Sequence, residues 1–159
     1  MFRHSAFTPS RARLTRRACM SALGALCVSG IRSPAHADDA AFRVIVHPDN
    51  PVRAIDRAVL SKMFLREVSK WDDGETAHPV DLRSDSDTRS RFSESVIRRS
   101  IAAVRSYWQQ RIFSGRGVPP PEVESDADVV RHVLKYRGSV GYVSGRADIG
   151  KSRVLSVNY

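Results

Sequence analysis

The sequence predicts an α/β domain, a mixed sheet flanked by helices. Three observations predict it. Short β-branched runs such as "RVIVH", Arg43 to His47, and "VGYV", Val140 to Val143, have the length and composition of strands. Between them lie longer segments with apolar residues at helical spacing, opened by residues that can cap a helix. Glycine and proline clusters mark the places where the period changes. Strands that alternate with helices are the pattern of a sheet with parallel or mixed order.

The elements follow in chain order. Arg43 to His47 is a strand stopped by Pro48, and "PDNPVRAI" is turn-rich. Asp56 can cap a helix running to about Arg66, with Val59, Leu60, Met63 and Phe64 on one stripe. "WDDG", Trp71 to Gly74, reads as a turn, and "PVDL", Pro79 to Leu82, as a short strand. Thr88 opens a helix whose face continues through Phe92, Val96 and Ile97. Ser100 can cap the next helix, with Ile101, Val104, Trp108 and Ile112 on its apolar face. Gly115 and Gly117 end that helix, and Pro119 to Pro121 form a stiff connection. Ser125 can cap a fourth helix with Val129, Val130, Val133 and Leu134 inward and Gly138 after it. Val140 to Val143 and Val154 to Val157 are the last strands.

The first 37 residues read differently. They hold six of the 26 Lys and Arg and none of the 17 Asp and Glu. A 14-residue apolar run, Ala18 to Ile31, follows Arg16 and Arg17 and is short for a membrane span. Ala35-His36-Ala37 supplies small residues at a cleavage site, so residues 1–37 are expected to be a signal peptide. The arginine pair leaves the general secretory and twin-arginine routes both open. Removal of these residues lowers the net charge from +9 to +3 and takes away both cysteines, Cys19 and Cys27. The expected mature domain, residues 38–159, therefore lacks the concentrated basic footprint that a nucleic-acid-binding protein needs. It has no second apolar run that could span a bilayer, so no stable membrane insertion is expected after cleavage. Its expected location is the periplasm or the exterior.

"LRSDSDTRSRF", Leu82 to Phe92, is the segment that points to chemistry. It runs from a strand end into a helix start, where ligands of α/β sheets gather. A helix N-terminus offers unpaired N–H groups, Arg83 a planar fork, and Ser86 and Thr88 hydroxyls. Asp85 could accept the proton of a protonated phosphate, which fully ionised sulfate lacks. On this pattern alone the residues favour an ordinary connection in which Asp85 or Asp87 caps the helix and Arg83 is solvated.

Other chemistry has less support. A calcium loop counted from Asp85 would place Ser90 where glycine is required and Val96 where glutamate is required, so no metal is expected. His47, His78 and His132 lack metal-ligand spacing. No nucleophile elbow, phosphate-binding P-loop or cysteine nucleophile is present in the expected mature domain, so neither enzyme activity nor a cofactor is expected. Trp71 and Trp108 read as packing anchors.

Four segments together resemble a known family. "LSKMFLREVSKWDDG", "LRSDSDTRSRF", "YWQQRIFSGRGVPP" and "GSVGYVS" are similar, in this order, to segments of the substrate-binding proteins of phosphate ABC uptake systems in their small PBP-like form. The resemblance spans nearly all of residues 43–157. It implies one lobe of a type 2 periplasmic-binding-protein-like fold, a phosphate or similar oxyanion as ligand, and an ABC permease or another envelope protein as partner. It carries the family's anion-binding arginine onto Arg83, its phosphate-reading aspartate onto Asp85, and its hydroxyl donors onto Ser86 and Thr88. The turn here is one residue shorter, and Asp87 stands where the family commonly has glycine. The alternative is an interaction module that has kept the fold and lost the ligand.

Overall fold

A computed structural model describes residues 41–159. The expected signal peptide lies outside the described residues. Strand β1, Phe42–Val46, forms where the β-branched run predicts it, with Val44, Ile45 and Val46 buried. β2, Ala54–Asp56, lies inside the turn-rich segment, and α1, Arg57–Phe64, starts from it with Asp56 at the N-cap. Two short strands follow, β3 at His78–Pro79 and β4 at Asp81–Leu82. α2, Asp87–Phe92, runs into a π-helical turn at Ser93–Ile97, after which Arg98 is left-handed with φ 61°. α3, Ile101–Phe113, and α4, Asp126–Val133, flank β5, Glu122–Val123. β6, Ser139–Ser144, β7, Arg153–Val154, and β8, Ser156–Asn158, complete the chain.

The main sheet has the order β3-β6-β1-β7. β1 pairs antiparallel with β6 and β7, whereas β3 and β6 run parallel, so the sheet is mixed. Two parallel pairs lie apart from it, β2 with β8 and β4 with β5. Five of the six residues of β6 are buried, as a strand covered on both faces must be. α4 packs on it through Val129 and Val133, and both come close to Gly141, where no side chain stands in the way.

The core is built around stacked rings. Phe92 lies against Tyr142 with centroids 3.8 Å apart and planes 5° from parallel. Phe64 meets Phe92 at 4.7 Å. Each ring removes a large apolar surface from water. Trp71 is an anchor of the same kind: its ring is buried and its indole N–H donates to the Gly138 carbonyl at 2.8 Å. Among the described residues no helix is long and apolar enough to cross a membrane.

Several expectations need correction at the level of elements. The segment before α1 contains β2, and the proline connection leads directly into β5. "PVDL" splits into β3 and β4 because Val80 separates two pairings, one with β6 and one with β5. The final strand likewise divides at buried Leu155 into β7 and β8. α2 begins at Asp87 rather than Thr88, because the side chain of Ser86 caps it. Ser100 and Ser125 cap α3 and α4 as expected, each accepting a backbone N–H three residues on. α3 buries only Val104 and Trp108; Ile112, expected inward, is 51 % exposed because the last turn of the helix projects beyond the core.

Candidate functional site

The site starts from the β4–β5 pair. The two strands are parallel, so their carboxyl ends emerge side by side. Arg83 follows β4 and its backbone N–H still donates to the Val123 carbonyl at 3.1 Å. Glu124 follows β5 directly. This register brings the two side chains together, with Arg83 Nη1 3.3 Å from Glu124 Oε1. Arg83 Nη2 meets Asp85 Oδ2, also at 3.3 Å. The guanidinium is 54 % exposed and spans two carboxylates that are themselves largely in water. Exposed pairs of this kind contribute about 0–1 kcal/mol, so they orient the arginine more than they stabilise the fold.

The turn then closes. Ser86 N–H donates to the Arg83 carbonyl at 3.1 Å, and Ser86 Oγ accepts the Arg89 N–H at 3.4 Å. The cap uses a lone pair of the hydroxyl and leaves its hydrogen free to donate. Thr88 is half-buried in the first turn of α2 and Asp87 is exposed there. The four residues singled out from the sequence thus lie on one turn at the carboxyl end of β4. Among them, side-chain contact joins Arg83 and Asp85. A second carboxylate, Glu124, joins from the end of a strand that sequence reasoning did not foresee.

Beneath the turn lies a cluster that the sequence reading missed. Arg89 and Asp81 are both 5 % exposed, and Arg89 Nη1 sits 2.7 Å from Asp81 Oδ2. Tyr142 donates its hydroxyl to Asp81 Oδ1. Leu82 N–H donates to the same oxygen at 3.1 Å. Arg89 Nη1 also donates to the Leu82 carbonyl and meets Glu122 Oε1 at 3.3 Å. One arginine therefore ties α2 to β4 and β5 and holds the Arg83 turn from below. Burial pushes the Asp81 carboxyl up to about 6, against the opposing pull of Arg89 and of the Tyr142 hydrogen bond. Burial first, and then the Asp81 charge, raises the Tyr142 hydroxyl above its ordinary range. A signal was present in the sequence: Asp81 interrupts an apolar strand, and Arg89 falls three residues before Phe92 on the inward side of the helix.

Comparison with known proteins bears on the fold. No protein-family model matches this chain, and no curated protein matches it. Solved structures do. A protein from Clostridium perfringens, described as a phosphate ABC transporter substrate-binding protein and solved with bound phosphate, aligns with TM-score 0.57 and 16 % identity. An ABC-type phosphate transport receptor from Vibrio cholerae aligns with TM-score 0.56 and 19 % identity, and PstS from Borrelia burgdorferi with 0.56 and 18 %. Each alignment covers 74 % of this chain and 44 %, 46 % and 47 % of the respective partner. The chain thus spans less than half the length of these structures. It has their α/β fold at the size of a single lobe.

Proposed function

We propose that this chain is an exported solute-binding-like protein and that a protonated oxyanion of the phosphate class docks on the Arg83 turn. The observation that carries this reading is the position of the Arg83 guanidinium, half-exposed where the carboxyl ends of β4 and β5 meet. Two of its five donors face carboxylates, which leaves N–H groups for a ligand. Ser86 and Thr88 would add hydroxyl donors. Asp85, Asp87 and Glu124 repel a bare dianion, so the ligand must bring a proton that a carboxylate can accept. Hydrogen phosphate and hydrogen arsenate meet that condition, and sulfate does not. The phosphate-binding neighbours support the same class of ligand. The role is capture for an ABC permease or an envelope sensor, without catalysis, after export directed by residues 1–37.

Titration calorimetry of the folded protein with phosphate, arsenate and sulfate tests the reading. Phosphate and arsenate are expected to give heat and sulfate none, and Arg83→Ala is expected to weaken phosphate at least ~10-fold. Equal heats for phosphate and sulfate, or an unaltered Arg83→Ala variant, would contradict it.

A second reading has its own support. Phe113 is 90 % exposed, Val118 69 % and Ile112 51 %, a run of apolar surface on and just after the end of α3. Apolar groups gathered on a surface favour a protein partner. On this reading the domain is an interaction module of an envelope assembly, and a well-folded protein that gives no heat with millimolar phosphate would favour it.

A further inference from the structure

A cavity of about 260 Å³ opens between α3 and the β4–β5 pair. Its wall is mostly apolar, formed by Ile101, Val104, Trp108, Ile112 and Pro119. Three charged residues also line it, Arg89, Arg105 and Glu122. Ser84, which follows Arg83, reaches its rim, but Arg83 itself is not part of its lining.

Arg89 makes this cavity more than a packing defect. Its contacts with Asp81, with the Leu82 carbonyl and with Glu122 all fall on Nη1. Nε is buried and has no hydrogen-bond partner among the described residues, and the side-chain hydrogen bonds that Arg89 makes there leave Nη2 unused. The Nε–Nη2 side of a guanidinium is one of the forks that match the two oxygens of a carboxylate. A buried donor without a partner costs free energy that a suitable acceptor recovers. Arg105, exposed on α3, adds a second positive charge among the lining residues.

We propose that this cavity is a second binding site, for a small apolar carboxylate. Its hydrocarbon part packs on Trp108, Val104 and Ile101, and its carboxylate pairs with the Nε–Nη2 side of Arg89. Arg105 holds the anion from the rim. Glu122 is half-exposed and already takes the other side of Arg89, so its charge opposes the ligand. The same chemistry could come from a free monocarboxylic acid or from the carboxyl terminus of a peptide ending in a branched apolar residue.

Hexanoate and hexanol separate recognition of the anion from simple filling of the cavity. Titration followed by NMR is expected to move the Trp108 indole resonance with hexanoate at millimolar concentration and to show hexanol binding at least ~10-fold more weakly. Glu122→Gln removes the opposing charge and is expected to tighten hexanoate roughly 10-fold while leaving hexanol unchanged. Arg89→Lys keeps a charge beside Asp81 and loses the planar fork, and is expected to abolish the preference for hexanoate over hexanol. A short peptide ending in leucine, with a free or an amidated terminus, identifies the source: binding of the free form alone, with hexanoate inert, assigns the site to a protein terminus. Equal binding of hexanoate and hexanol would overturn the proposal. So would a Glu122→Gln protein no better than the parent, a result that stands even where Arg89→Lys fails to fold. Absence of binding by hexanoate and by the free-terminus peptide would overturn it too.

Discussion

Asp81 is a carboxylate held in the interior by one guanidinium, one phenol and one amide. Its upward shift to about 6 means that the folded protein binds this proton more tightly than the unfolded chain does. The stability contributed by this group is therefore full below the ordinary aspartate range and declines as pH rises through about 6. His132 acts in the opposite sense: burial lowers its pKa, so its contribution is present above the ordinary histidine value and is lost as pH falls through the lowered one. A bulk unfolding curve would mix the two. A carboxyl-carbon NMR titration isolates Asp81, and its midpoint is expected at about 6. A midpoint below the ordinary aspartate value would mean that Arg89 outweighs the cost of burial. The Arg83 turn was legible in the sequence because its residues are consecutive. The Asp81 cluster was not, because Tyr142 is 61 residues away from Asp81 and Glu122 is 33 away from Arg89.

At the scale of elements, serine caps made α3 and α4 readable and an apolar stripe made α1 readable, although Asp56 at its N-cap forms no side-chain cap hydrogen bond; β-branched runs made β1 and β6 readable. β2 and β5 span three and two residues, too few for any period to show. Their pairing is set by distant partners instead. β5 matters most, because it delivers Glu124 to Arg83 and Glu122 to Arg89. β6 shows how tightly the layers meet. A methyl group added at Gly141 would lie 2.6 Å from Val129 Cγ1 and 2.8 Å from Val80 Cγ1. Both neighbours are fully buried, so neither can yield cheaply. Gly141→Ala is expected to destabilise the protein by about 1–3 kcal/mol in urea unfolding, with the slope unchanged. An unaltered midpoint would mean that α4 can lift away from the sheet.

At the scale of the whole molecule, the chain matches less than half of each structural neighbour, the extent of a single lobe. An anion on the Arg83 turn would stay in contact with water, where each charge contact is weak and screened. Phosphate affinity is therefore expected to fall at least ~5-fold as ionic strength rises from about 0.01 M to about 1 M, while the Debye length shrinks from about 30 Å to about 3 Å. Calorimetry across that range checks it. A flat response would mean that the anion is enclosed, by a second copy or by a partner. The order of the main sheet has a further consequence. Its two longest strands, β6 and β1, are interior, and the margins are β3 and β7, two residues each. An incoming chain seeking to extend the ladder finds almost no free length of backbone to copy, and Pro79 at one margin lacks the amide it would need. Among the described residues, both margins of the native sheet thereby offer little template for fibre growth.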